Sequence, residues 1–119
     1  MTSGDKTYFT PESHRWAAKR PMSAAVRAGD LLFISGQVSA DANHKATALG
    51  DVKAQARNAF AEIKALVTAA GGSMDDIVEI MSFHKDVRDM DAVFHVGGQV
   101  FKKDYPAWTA LGMLGTYAP

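Results

Sequence analysis

The sequence predicts an α+β fold, a β-hairpin followed by helix, strand, helix and strand, with both helices on one face of a mixed sheet. Three observations carry that expectation. The apolar run Leu31-Leu32-Phe33-Ile34-Ser35 follows directly on the turn signal Ala28-Gly29-Asp30. Apolar residues then recur at three- and four-residue spacing from Val52 to Ala70. After Gly71-Gly72, the segment from Ile77 to Val87 is apolar at both even and odd positions.

Each element has a local reason. Ser23 to Ala28 reads as a short strand, and the Gly29-Asp30 turn joins it to the run at 31–35 as a hairpin. Gly36-Gln37 breaks that run, and a polar loop fills residues 39–50. Asp51 caps a helix extending to about Ala70, whose stripe is Val52, Ala56, Ala59, Phe60, Ile63, Leu66, Val67 and Ala70. Gly71 ends it, as a residue with positive φ just past the last turn does. Residues 77–87 are expected to be a strand covered on both faces for part of its length. Asp89 or Asp91 opens a second helix running to about Lys102, with Val93, Phe94, Val100 and Phe101 on one face. Gly97-Gly98 within it costs about 1 kcal/mol each against Ala, and is tolerable where another backbone must approach closely. Tyr105-Pro106 stops this helix, and Thr109–Gly115 is expected to be the last strand.

The chain of 119 residues reads as a single domain spanning 1–119, with residues 1–20 forming an irregular N-terminal arm. Its 47% hydrophobic and 22% charged residues describe an ordinary globular protein. The formal net charge of zero provides no global field for nucleic acid or an anionic membrane, so neither is expected as a partner. No apolar run approaches the roughly 18 residues of a membrane span. The polar segment Met1-Thr-Ser-Gly-Asp-Lys6 lacks the apolar core of a secretory signal, so a cytoplasmic location is the default. Cysteine is absent, which excludes disulfides, thiol catalysis and thiolate metal sites. The sheet face opposite the helices would be left apolar, and self-association is its expected cover.

Few residues announce chemistry. The four histidines, His14, His44, His84 and His95, form no HxH or HxxxH pair, so satisfied structural or surface roles are expected and no metal site. There is no Walker or dinucleotide glycine motif, and no cofactor is expected. Asp86, Asp89 and Asp91 around Arg88 read as a solvated turn, and Arg15 with Arg20 as a solvated basic arm. Ser35-Gly36-Gln37 ends an apolar strand with a hydroxyl, a flexible backbone and an amide, a plausible edge of a cleft, but no GxSxG elbow surrounds Ser35.

Several segments, in order, resemble the RidA/YjgF/UK114 family of enamine/imine deaminases. They are Pro21-Met22-Ser23, Val26 through Val38 with its Gly-Asp-Leu-Leu-Phe-Ile-Ser-Gly-Gln core, Gln55-Ala-Arg57, Ala69-Ala-Gly71, Asp86 with Met90-Asp91, and Pro106-Ala107. The resemblance implies a chorismate-mutase-like (YjgF-like) fold, a homotrimer, and small-molecule clefts between subunits. It also implies a binding set at Met22, Ser23, Ser35, Gly36, Phe94, His95, Ala107 and Trp108, with Ser35 as the catalytic candidate. In the deaminating members an arginine after Pro-Ala grips a carboxylate, where this chain has Trp108, and a tyrosine stands where this chain has Met22. An asparagine of the second helix corresponds to Phe94 or His95. A final strand carrying a glutamate would lie beyond Pro119, so the sequence is expected to be a shortened form of a longer protein.

Indole offers one neutral donor where guanidinium offers five and a full charge. Losing a desolvated charge-assisted pair costs about 2–5 kcal/mol of ligand binding. The resemblance implies hydrolytic deamination of an enamine or imine, and the indole in place of the arginine makes non-catalytic binding of a small planar or apolar metabolite the alternative. An endoribonuclease role, met in the family's older naming, is disfavoured by the zero net charge and the lack of paired catalytic histidines.

Overall fold

The computed structural model describes residues 5–114. Its strands are β1 (Lys6–Phe9), β2 (Ala25–Ala28), β3 (Leu31–Ile34), β4 (Glu79–His84) and β5 (Ala107–Gly112), and its α-helices are α1 (Val52–Ala69) and α2 (Met90–Val100). Strands of both senses are present, divided between two sheets: an antiparallel β1-β2-β3 and a parallel β4-β5. A parallel pair needs a crossover connection, and α2 supplies it.

The segment before Arg20, expected to be an irregular arm, is structured. Residues 6–9 form β1, paired antiparallel with β2 from Lys6↔Ala28 to Phe9↔Ala25. Glu12–Lys19 then winds as 3-10 turns, broken where His14 leaves helical geometry. The polar composition concealed this because only His14 and Ala17 of these turns are buried, while β1 is an edge strand with three of its four residues exposed.

α1 begins and ends where its residues require. Asp51 Oδ1 accepts the Ala54 N–H at 3.0 Å, satisfying one of the amides left over in the first turn. At the other end Gly71 takes φ 88°, and the Gly72 and Gly71 N–H groups close back on the Val67 and Thr68 carbonyls at 2.9 and 3.0 Å. That paired closure needs a left-handed residue, which glycine adopts without penalty.

One helix seals both sheets. Leu66 of α1 packs on Ala17, Ala24 and Ala25, with Phe9, Leu32 and Ile34 around them. Nearer its start, Ala56 and Phe60 pack on Val96 of α2 and on Phe101, with Ile80 and Trp108 from the parallel pair. Alternation along the strands turns the other side chains outward. Leu31, Phe33, Met81 and Phe83 are 60%, 58%, 54% and 52% exposed, so β4, expected to be covered on both faces, has one bare face within the chain. The last strand runs from Ala107 to Gly112 rather than from Thr109, and Gly115, its expected end, lies outside the described residues.

Candidate functional site

Ser35 follows β3 directly, its N–H continuing the ladder to the Ala24 carbonyl at 3.0 Å. Its hydroxyl donates to the Ser23 carbonyl at 2.7 Å, so Ser35 Oγ meets a backbone acceptor rather than a base. Gln37 turns back to donate from Nε2 to the Ser35 carbonyl at 3.0 Å. Its Oε1 is held by His14 Nε2 at 2.9 Å, and the same ring nitrogen lies 3.0 Å from Glu62 Oε2. Two acceptors facing Nε2 place a ring proton there, and Nδ1 lies 2.8 Å from the Ser13 hydroxyl. The fully buried His14 thus anchors the Ser35–Gln37 strand end to α1 and to the N-terminal turns. Met22 and Gly36, on either side of this cluster in sequence, are exposed.

The second cluster lies on the helix-facing side of β4 and β5. The parallel register sets Ile80 opposite Trp108, Ser82 opposite Ala110 and His84 opposite Gly112. Trp108 points into the layer between sheet and helices, with ring centroids 5.0 Å from Phe94 and 6.0 Å from Phe60, both edge to face. The room for it comes from α2. A Cβ added to Gly97 would lie 2.7 Å from Trp108 Cζ3 and 2.9 Å from Cη2. The close approach expected at the Gly97-Gly98 pair is thus made at Gly97, by an indole rather than by another backbone. The indole N–H donates to Ser82 Oγ at 2.8 Å, and Ser82 Oγ lies 2.8 Å from His84 Nε2.

The structure brings Ser23 together with Ser35, and Phe94 together with Trp108. Among the described residues no hydrogen bond or ring contact joins these two pairs. Ala107 is exposed at the start of β5, and His95 is exposed on α2. Ser82 carries no sequence signal of its own, and the sequence predicts a satisfied structural or surface role for His84. Their i, i+2 spacing within one strand is the signal that places both on one face. Its meaning depends on Trp108, twenty-six residues away from Ser82 in sequence.

The charged groups are peripheral. The Arg88 side chain and backbone N–H hold Asp86 well below the usual carboxylate range, to about 2, and the pair sits in a solvated turn. Arg15 meets Glu12 and Asn43, while Arg20 donates to the Trp16 carbonyl and lies over the Trp16 ring, which stacks on His44. No group of three His, Asp or Glu that could hold a metal occurs among the described residues. No helix among them is long and apolar enough to cross a membrane.

The architecture is an α+β domain with two helices over paired sheets, a hydroxyl-bearing end to its hairpin, and an aromatic cluster behind a parallel strand pair. Residues 12–114 match the model of the family described as Endoribonuclease L-PSP, and the chain belongs to that family. It is 38% identical over 107 residues to the RutC family protein YjgH of Escherichia coli K12, a match covering 88% of this chain and 80% of that protein. It is 30% identical over 93 residues to a protein of Dermatophagoides farinae named 2-iminobutanoate/2-iminopropanoate deaminase, covering 78% of this chain and 73% of the relative. A solved structure of RidA from the Antarctic bacterium Psychrobacter sp. PAMC 21119 superposes with a TM-score of 0.76 at 31% identity, over 82% of this chain and 79% of the other.

Proposed function

We propose that this protein hydrolyses a small enamine or imine to the carbonyl compound and ammonia, in a cleft completed by self-association as a homotrimer. The observation that carries this reading is family membership, with a relative named as an imine deaminase aligned over more than three quarters of the chain. The cleft is proposed to be lined by Ser23, Ser35 and Gly36 at the end of the hairpin, with Met22 beside them, and by Phe94, His95, Ala107 and Trp108.

The geometry at Trp108 narrows the substrate class. Its N–H is already bonded to Ser82, and its ring is packed against Phe60 and Phe94. The indole itself cannot grip a carboxylate by a charge-assisted pair, which favours imines that are uncharged or bear an apolar group beside the C=N carbon. The self-association is supported by the outward apolar side chains of both sheets, Leu31, Phe33, Met81 and Phe83 among them.

The test is ammonia release from freshly generated 2-iminobutanoate and from a freshly generated neutral imine with an unsubstituted nitrogen. The expected outcome is acceleration of both over the spontaneous rate, with kcat/KM higher for the neutral imine. No acceleration of either removes the deaminase reading. The same aromatic wall favours a second reading, a non-catalytic site for a flat metabolite. Fluorescence quenching by an aromatic acid that is lost in Trp108→Phe, which keeps Trp16, without turnover of any imine, would establish that one.

A further inference from the structure

We infer that His84 carries the proton transfers of imine hydrolysis in this protein, with Ser82 and Trp108 as the residues that position its ring; this rests on the deaminase reading above. Three features of the β4–β5 pair lead to it.

The hydrogen-bond chain has one fixed end. Indole N–H can only donate, so Trp108 occupies one lone pair of Ser82 Oγ. Ser82 keeps a second lone pair and its own proton for His84 Nε2, 2.8 Å away, and so serves either tautomer of the ring. The hydroxyl therefore holds the imidazole in place while leaving it free to gain and lose a proton.

The ring has one nitrogen to spare. Nε2 faces Ser82, whereas Nδ1 has no hydrogen bond among the described residues and is not one of their fully enclosed polar atoms. A histidine serving only to satisfy buried polar groups would have both nitrogens engaged, as His14 does.

His84 stands beside an open surface depression, which its chain neighbour Lys85 lines and it does not. His84 closes the carboxyl end of β4 opposite Gly112 of β5, and its carbonyl accepts the Met113 N–H at 2.9 Å. Lys85, Gly112 and Met113 line an open surface depression there. His84 as a residue is only 7% exposed, and a proton-transfer group shielded from bulk water keeps its proton for the bound substrate.

The chemistry balances in two passes through Nδ1. With the ring proton on Nε2 and donated to Ser82, Nδ1 has its lone pair. A water oxygen bonds to the imine carbon, its proton passes to Nδ1, and from there to the imine nitrogen, giving a carbinolamine. The carbinolamine hydroxyl then gives its proton to Nδ1, the C–N bond breaks, and that proton leaves on the nitrogen as ammonia. One imine and one water yield one carbonyl compound and one ammonia, with no oxidant or metal required.

His84→Gln keeps an amide to bond Ser82 but cannot exchange a proton. On the imine that the wild type hydrolyses fastest, kcat is expected to fall by about 100-fold or more while KM stays within about two-fold. The melting temperature, measured alongside, should be close to that of the wild type. Ser82→Ala, which frees the ring without removing it, should lower kcat by a smaller factor at similar KM. An active wild type with an equally active H84Q protein overturns the assignment and leaves the deaminase reading standing. A wild type that releases no ammonia above the spontaneous rate overturns both. Should H84Q fail to fold, S82A decides: an unchanged kcat overturns the inference, and a reduced kcat at unchanged KM supports it.

Discussion

Trp108 and Gly97 form a matched pair, and neither is understood without the other. Gly97 in mid-helix costs about 1 kcal/mol against Ala by propensity, so replacing it with Ala ought to help α2. The indole forbids it: a methyl group at 2.7 Å from a ring carbon must displace the ring or the helix. Overpacking of a well-filled core costs about 1–3 kcal/mol, which outweighs the helical gain. Gly97→Ala is therefore expected to lower stability in urea unfolding. In a Trp108→Leu background the same change should become neutral or stabilising. A double-mutant cycle with no coupling between the two positions would show that the contact carries no energy. The same pairing gives Trp108 a role within its own subunit. Its position in the chain resembles that of a ligand-gripping arginine, yet its hydrogen bond and both its ring neighbours are internal.

At the scale of elements, α1 is the part on which both sheets depend. Its terminal half seals the antiparallel sheet through Leu66, and its first half seals the parallel pair through Ala56 and Phe60. Fraying its first turn should thus be felt on the Trp108 side before the hairpin side. Asp51→Ala removes the acceptor for the Ala54 N–H and is expected to cost about 1 kcal/mol. The check is a lower urea midpoint at an unchanged m-value, since a cap changes stability without changing the surface exposed on unfolding. The cap, the stripe and the Gly71 stop were all legible in the sequence because each is a local rule. β1 was not: four residues, three of them exposed, carry no apolar pattern, and what makes them a strand is the free edge of β2.

At the scale of the whole molecule, the helices lie on one side and the other side is bare. Large outward side chains on β3 and β4 are each more than half exposed in the single chain. That is the arrangement expected of a subunit rather than of a finished particle. Phe33→Asp is expected to lower the native mass found by light scattering from that of a trimer toward that of one chain, with the helical circular dichroism retained. A wild type that is already monomeric at high micromolar concentration would rule out the homotrimer.

What the sequence determined by itself is the order of the elements from β2 onward. Capping, helical periodicity and turn chemistry act over a few residues, and the Gly29-Asp30, Asp51 and Gly71 signals needed no distant partner. Only the tertiary structure decided which side chains meet. Ser82 and His84 carry no recognisable motif, and Trp108 reads on its own as the loss of a charge. Parallel pairing of two strands with α2 between them sets these three in one hydrogen-bonded line. The physical reason is that pairing register, which no local rule specifies, governs every contact across a sheet.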